Sequence, residues 1–268
     1  MSRAFFYVIT QIAFGALSLT PLAPFDVFGA PFFRVNAAIF FLMGCLAWGW
    51  LPVPAGRTLS AAWVEFGCFH AAMLALAAYN VALWRRKDTP SLGHVYVAAG
   101  LGMATVVAGG FACPVPLEPA WQHAGLAASF VASAWVTGGA LFGMMLGHWY
   151  LMKPLLPFEP LILASRVFGA GTLAAAAIFV TNQAGQALTA RASGLGLAWS
   201  PLAVIDMFVW VRLAVGILGP IALAYMIVES SKLRANMSAT GLFYVAFAAA
   251  AAGDLVSRAL LAMRGLVV

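Results

Sequence analysis

Eight runs of mostly apolar residues, each long enough to cross a membrane, are the feature that most constrains how this chain folds. A membrane-spanning helix needs about 20 such residues, because the hydrocarbon layer is roughly 30 Å thick and each residue adds about 1.5 Å. The runs are 4–22, 36–53, 60–84, 93–112, 123–151, 160–182, 202–228 and 238–262. They predict an all-α integral membrane protein, a polytopic bundle of about eight transmembrane helices with short loops.

The residues between the runs are too few to form a soluble domain. Prolines and charged residues break the runs at 21–24, 52–54, 85–88 and 114–116. Only 8% of the chain is charged, whereas an ordinary soluble domain is about 25% charged. We therefore expect a single transmembrane domain over 1–268. Its one long loop, at 182–201, is expected to be irregular or to form an interfacial helix.

The basic residues predict the orientation of the chain and account for its net charge of +6. An outside amino terminus places a larger set of basic residues in the cytoplasmic loops: Arg34, Arg85, Arg86, Lys87, Lys153, Lys232 and Arg234. The opposite orientation leaves there only Arg3, Arg57, Arg191 and Arg264. Because cytoplasmic loops are enriched in Lys and Arg, we expect both termini on the periplasmic side of a bacterial inner membrane. The expected partner is the lipid bilayer and not nucleic acid, since these residues form no basic patch.

The fifth run carries small residues at a four-residue spacing, in two successive series. They are Gly125, Ser129 and Ser133, followed by Gly139, Gly143 and Gly147. Small residues at this spacing form a flat ridge that lets another helix approach closely. We therefore expect this helix to lie at the centre of the bundle.

Ionisable residues inside membrane spans are costly and are therefore the main candidates for a functional site. The candidates are Glu65, His70, Asp206, Arg212, Asp254 and Arg258. Because successive helices cross the membrane in opposite directions, Glu65, Asp206, Asp254 and Arg258 belong to the same half of the bilayer. Arg212 and Asp254 lie at similar depths, so they are level enough to pair. Asp254 and Arg258 are four residues apart, with the acid first, which is the favourable order for an ion pair within one helix.

Two interpretations of these residues stay open. In the first, they line a polar cavity on the outer side that holds a quinone headgroup, a proton path or a small polar substrate. In the second, they only hold the third, seventh and eighth spans together. Glu65, Asp206 and Arg258 would then reach the membrane surface along their own aliphatic stems.

His94, His148 and Arg166 are weaker candidates, which the same comparison of depths places near the opposite surface. A haem b with two histidine ligands needs two imidazoles at one level, and His70 has no histidine at its level. His94 and His148 share a level but lie close to the headgroups. Haem b at that pair, or held through His70 and a non-histidine ligand, is therefore a less favoured cofactor than quinone. The aromatic segment 147–154 either forms a headgroup or quinone site or simply ends its helix and anchors it.

Several other chemistries are not indicated by the sequence. It contains no phosphate-binding loop, zinc-protease motif or serine-nucleophile elbow, and we predict neither a catalytic residue nor a metal site. In helix number and short loops the chain resembles the small quinone-handling or haem-bearing anchor subunits of bacterial respiratory complexes. The ionisable residues at one level and the lack of a soluble catalytic domain favour a membrane subunit of an electron- or proton-handling system over a stand-alone enzyme, acting with other membrane subunits.

Two other functions remain as alternatives to that quinone-linked membrane subunit. One is a small-solute transporter that uses the same cavity, and the other is a structural or assembly subunit without activity of its own. Transporters often have an internal repeat with matching helix breaks. Here the halves 1–134 and 135–268 show no convincing repeat, and Gly219-Pro220 is the strong break in the middle of a span. Transport is therefore less favoured.

Overall fold

The computed structural model describes residues 2–54, 60–85, 92–113, 121–192, 204–264 and 267. Its α-helices are α1 (Ser2–Leu19), α2 (Phe25–Trp48), α3 (Ala61–Arg85), α4 (Leu92–Phe111), α5 (Trp121–Met152), α6 (Glu159–Ala192), α7 (Val204–Leu213), α8 (Gly219–Lys232) and α9 (Asn236–Arg264). A 3₁₀ turn, Thr20–Leu22, extends α1, and a π-helical segment, Ala214–Leu218, joins α7 to α8. Over these ranges the chain is all-helical, and eight helices are long and apolar enough to cross a membrane, as the apolar runs predict.

Helix α5 lies at the centre of the bundle, as its small residues predict. In its most apolar stretch 78% of the residues are buried, compared with 33–67% in the other spans. The small residues explain why neighbours approach so closely. A Cβ atom on Gly138 would come within 2.6 Å of the Gly15 Cα atom of α1, and one on Gly147 within 2.5 Å of the Thr240 hydroxyl oxygen of α9. Van der Waals contact at Gly147, on the predicted ridge, holds α9 against α5, whereas α1 packs at Gly138, which lies outside the predicted series.

Helix α2 begins at Phe25 rather than at residue 36, where the second apolar run starts. Gly29 has a positive φ of 73° and Pro31 lies inside the helix. Glycine adopts this backbone conformation without steric cost. The chain therefore kinks at Gly29, and the helix resumes with Pro31 near the start of its second part.

Helix α6 continues to Ala192, beyond the end of the sixth apolar run at 182. The first part of the long loop expected at 182–201 is therefore helical, and residues 193–203 lie outside the described ranges. The polar side chains that end the apolar run have partners. Asn182 donates a hydrogen bond to the Gly125 carbonyl oxygen at 3.1 Å, and Gln183 and Gln186 donate to the Val267 carbonyl oxygen at 2.9 and 2.8 Å. These bonds satisfy the amide nitrogens of a helix that packs against α5.

The π-helical segment between α7 and α8 has a local cause in the sequence. Pro220 has no backbone N–H, and its ring would clash with the carbonyl group four residues earlier in a regular α-helix. The helix widens over Ala214–Leu218 and resumes at Gly219. On this wider turn Gly216 packs directly against Gly253 of α9, where a Cβ atom on Gly216 would come within 2.7 Å of the Gly253 Cα atom. The contact places α7 beside the ionisable residues of α9.

Candidate functional site

Asp254 and Arg258 form an ion pair in the interior of the bundle. The Arg258 Nη2 atom lies 3.0 Å from the Asp254 Oδ1 atom, and each side chain is only 1% exposed. The pair has the intrahelical geometry that the four-residue spacing predicts. The same Nη2 atom donates a hydrogen bond to the Ser133 hydroxyl oxygen at 3.0 Å, and the guanidinium carbon lies 3.9 Å from the centre of the Phe130 ring. Arg258 therefore ties the acid of α9 to helix α5.

Arg212 is a third buried charge beside this pair. Its side chain is 6% exposed and lies against the two glycines at the contact between α7 and α9. A Cβ atom on Gly216 would come within 2.8 Å of the Arg212 Nη1 atom, and one on Gly253 within 3.3 Å. Arg212 is close enough to interact electrostatically with Asp254 and Arg258. Asp254 therefore forms its ion pair with Arg258, and Arg212 adds positive charge nearby.

Glu65 is a second buried acid. It lies against Gly109 of α4 and near Tyr7 of α1, close to the same region. Glu65 is 2% exposed and Tyr7 is 5% exposed. Both side chains meet over Gly109, where a Cβ atom would lie 2.8 Å from Glu65 Oε1, 3.2 Å from Tyr7 Cε1 and 3.5 Å from Phe130 Cε2. The Tyr7 and Phe130 ring centres are 4.9 Å apart. Tyr7 and Phe130 therefore connect Glu65 to Arg258.

We call Tyr7, Glu65, Arg212, Asp254 and Arg258 the charged cluster. Several of its buried polar atoms have no hydrogen-bond partner within the described ranges: Tyr7 Oη, Glu65 Oε1, Arg212 Nε, Asp254 Oδ2 and Arg258 Nε. The side-chain amide of Gln11, one helical turn from Tyr7 on α1, is also buried and unpartnered. Since roughly 90% of buried polar groups in proteins have a partner, these donors and acceptors are suited to bind water or a polar ligand group.

His70 does not join the charged cluster. It is partly exposed, its Nδ1 atom lies 2.8 Å from the Phe66 carbonyl oxygen of its own helix, and its ring centre is 5.0 Å from that of Trp48 on α2. His70 follows Glu65 by five positions. In a helix of 3.6 residues per turn, five positions place the two side chains about 140° apart around the helix axis. Glu65 therefore faces α1 and α4, while His70 faces α2. Asp206 lies in the first turn of α7, and its side chain is outside the described part of the structure.

The weaker candidates are dispersed and exposed. His148 lies near the end of α5, His94 near the start of α4 and Arg166 near the start of α6. A cleft between α2, α5 and α9 is lined by His148 together with residues of those three helices, so His94 and Arg166 do not meet His148 there. Among the described residues, no group of three or more His, Cys, Asp or Glu side chains is placed to hold a metal ion.

Sequence reasoning identified the charges of the cluster but missed Tyr7 and Gln11. A signal was present, because Arg3, Tyr7 and Gln11 follow one another at four-residue spacing along one face of the first apolar run. Comparison with known proteins adds no further residues: no known family model matches the chain, and no curated protein matches it in sequence.

Proposed function

We propose that this chain is the membrane subunit of a quinone-linked electron-transfer system in a bacterial inner membrane, and that its charged cluster exchanges protons. The observation that carries the proposal is the buried Asp254–Arg258 pair with Arg212 beside it. Removing a charge from water costs several kcal/mol even after the protein relaxes, and a buried pair is often no more stabilising than apolar residues of similar size. Stability alone is therefore a weak reason for three buried charges, and proton transfer is a function that needs them.

The chemistry of quinones requires proton transfer inside a membrane. Reduction of a quinone to its quinol takes up two electrons and two protons, and oxidation releases them. A redox centre in a partner subunit would exchange the electrons. The carboxyl groups of Glu65 and Asp254 can each take up and release a proton, and the buried Tyr7 hydroxyl, which has no partner within the described residues, can donate or accept a hydrogen bond. Arg258 pairs with Asp254, and Arg212 lies beside that pair.

The positions of basic and aromatic residues support the orientation that we propose, with the charged cluster in the periplasmic half. At the other ends of the helices, the Arg34 guanidinium lies 5.1 Å from the Trp84 ring centre, and the Lys153 ammonium lies 5.5 Å from that of Trp149. Basic residues beside Trp rings are typical of a headgroup layer, and an excess of them marks the cytoplasmic side. Glu65 and Asp254 then exchange protons with the periplasm.

The test is quinone-linked electron transfer in the complex purified through a tag on this chain, with the subunits that accompany it. We expect Asp254→Asn and Arg212→Gln each to lower the rate of decylubiquinol oxidation at least about tenfold, because each removes one charge from the cluster. Glu229→Gln is the matched control, since Glu229 pairs with Lys232 at 2.7 Å on an exposed surface. The proposal is wrong if both cluster variants are folded and as active as this control.

One observation favours a second candidate, the transport of a small solute. The π-helical segment Ala214–Leu218 interrupts the seventh span directly after Arg212. Interrupted helices form the substrate sites of many transporters, and π-helical turns often occur at functional sites. Uptake of a solute into proteoliposomes that Arg212→Gln abolishes, with no dependence on quinone, would favour transport. A partner that co-purifies in fixed ratio, without uptake or quinone activity, would favour a structural subunit.

A further inference from the structure

A cleft lies toward the opposite end of α5 from the charged cluster. It has a volume of about 320 Å³ and is formed by α2, α5 and α9. That volume falls at the lower end of the roughly 300–1,000 Å³ typical of small-molecule sites. From Ser133, which contacts Arg258, to His148, which lines the cleft, there are 15 residues of α5. At about 1.5 Å per residue, the cleft and the cluster are separated by about 22 Å along the helix.

The walls of the cleft combine flexible apolar side chains with flat aromatic ones. Met144, Met145 and Met152 come from α5, and Phe32 and Ile39 come from α2. Methionine side chains are unbranched and polarisable, so they adapt to the faces of a ring. These walls suit a flat apolar molecule.

Two buried polar atoms belong to residues that line the cleft. Asn36 is 2% exposed, and its amide nitrogen donates to the Phe32 carbonyl oxygen at 2.8 Å, so its Oδ1 atom is identified as an acceptor. Within the described chain this Oδ1 atom accepts no hydrogen bond, and the buried Trp149 Nε1–H group donates none. The Trp149 indole is held in place by Phe32, at 5.5 Å between ring centres, and by the Lys153 ammonium. Both atoms are buried behind the side chains of the cleft wall, so a ligand reaches the donor and the acceptor when flexible side chains such as the methionines shift.

The side chains at the edge of the cleft are accessible from outside the bundle. Tyr244 is 48% exposed and His148 is also exposed. Eight apolar helices place lipid around the bundle, so a ligand that diffuses within the bilayer can reach this opening. None of the residues lining the cleft is Lys or Arg, which recognise the phosphate of a lipid headgroup. The nearby Lys153 ammonium lies over the Trp149 ring and is not part of the cleft lining, which is mostly apolar and suits an uncharged ring.

We propose that this cleft binds the headgroup of a lipid-soluble quinone. Trp149 Nε1–H donates a hydrogen bond to a quinone oxygen, and Asn36 Oδ1 accepts one from a quinol hydroxyl. Phe32 and the methionines pack against the ring. The choice of quinone as the ligand class rests on the proposed function, whereas the position of the site rests on the cleft and its two unpartnered atoms.

The test is the affinity of the purified complex for decylubiquinone, measured by thermal stabilisation over a titration. We expect Trp149→Phe and Asn36→Leu each to weaken binding about tenfold, because each removes one hydrogen-bonding atom. Trp135→Phe is the matched control, since Trp135 lies on the same helix, is 45% exposed and is not part of the cleft. Its affinity should stay within about twofold of the wild type. Decanol, which has the tail without the ring, should not stabilise the complex.

The outcomes separate this inference from the proposed function. Trp149→Phe keeps an aromatic ring while it removes the N–H group and one of the two fused rings, and Trp135→Phe makes the same change outside the cleft, so the comparison tests the site even if Asn36→Leu does not fold. Binding by the wild type that neither variant weakens overturns the cleft as the site and leaves the proposed function standing. Attachment of a photoreactive quinone in the apolar groove beside Phe208 and Leu255, between α1, α7 and α9, would also overturn the cleft as the site and leave the proposed function standing. A wild-type complex that binds no quinone overturns both proposals.

Discussion

Arg258 is the residue that connects the most parts of the charged cluster. Its guanidinium group pairs with Asp254, donates to Ser133 and lies over the face of Phe130, all within 4 Å. These contacts compensate for the loss of water around a charge that is 1% exposed. A change at this residue should therefore be costly for stability as well as for function.

Arg258→Met should lower the free energy of unfolding by about 3–5 kcal/mol, because it leaves the buried Asp254 carboxylate without its partner. The measurement is unfolding of the purified complex in mild detergent. Lys232→Met is the control, since it breaks an exposed ion pair with Glu229 and should cost at most about 1 kcal/mol. Equal destabilisation by Arg258→Met and by the control would contradict the buried pair.

Gly109→Ala should impair quinol oxidation more than folding. Its new Cβ atom would come within 2.8 Å of Glu65 Oε1 and 3.2 Å of Tyr7 Cε1 and would push these side chains apart. We expect the rate in the purified complex to fall at least about threefold, since small shifts in geometry slow proton transfer. Gly100→Ala on the same helix has open space around its Cβ position and should leave the rate unchanged. If both variants are equally active, Glu65 and Tyr7 do not act at Gly109.

At this site, individual residues show which contacts the sequence could predict and which it could not. The Asp254–Arg258 pair follows from spacing within one helix, so it was predictable. The partners of Glu65 depend on how α3 is rotated against its neighbours, and a helix that is apolar on most of its surface does not reveal that rotation. For the same reason His70, on a different side of α3 from Glu65, could not be separated from the cluster by depth alone.

Among the helices, α5 provides the surface on which α1 and α9 pack. Its glycines and serines predicted this role, because close packing in membranes depends on small residues. The sequence did not predict the full length of α2 and α6. The apolar runs cover only part of each helix. Helix α2 also includes Gly29 and Pro31, and α6 continues past residue 182, where Asn182 and Gln183 donate hydrogen bonds to Gly125 and Val267.

Gly138→Ala tests this packing. The added methyl group would come within 2.6 Å of the Gly15 Cα atom, so α1 and α5 must separate. We expect a loss of about 1–3 kcal/mol in the free energy of unfolding, measured in mild detergent. Gly241→Ala on α9 has nothing within 4 Å of its new Cβ atom and is the control. A Gly138→Ala variant as stable as this control would mean that α1 does not lie against α5 at this position.

In the whole molecule, the proposed functions occupy different ends of the bundle. The charged cluster joins α1, α3, α5, α7 and α9 in one half, and the cleft lies between α2, α5 and α9 in the other. With the orientation that we propose, protons exchange on the periplasmic side while the quinone binds nearer the cytoplasmic side.

Infrared difference spectroscopy tests the central claim most directly, because the carboxyl C=O stretch reports whether an acid gains or loses a proton. The purified complex is loaded with decylubiquinone, and spectra are recorded before and after the quinone is reduced. We predict a carboxyl band that changes on reduction and disappears in Asp254→Asn or Glu65→Gln but persists in the surface variant Glu229→Gln. A spectrum without a carboxyl change, or with a change that both cluster variants retain, would contradict proton exchange at the charged cluster.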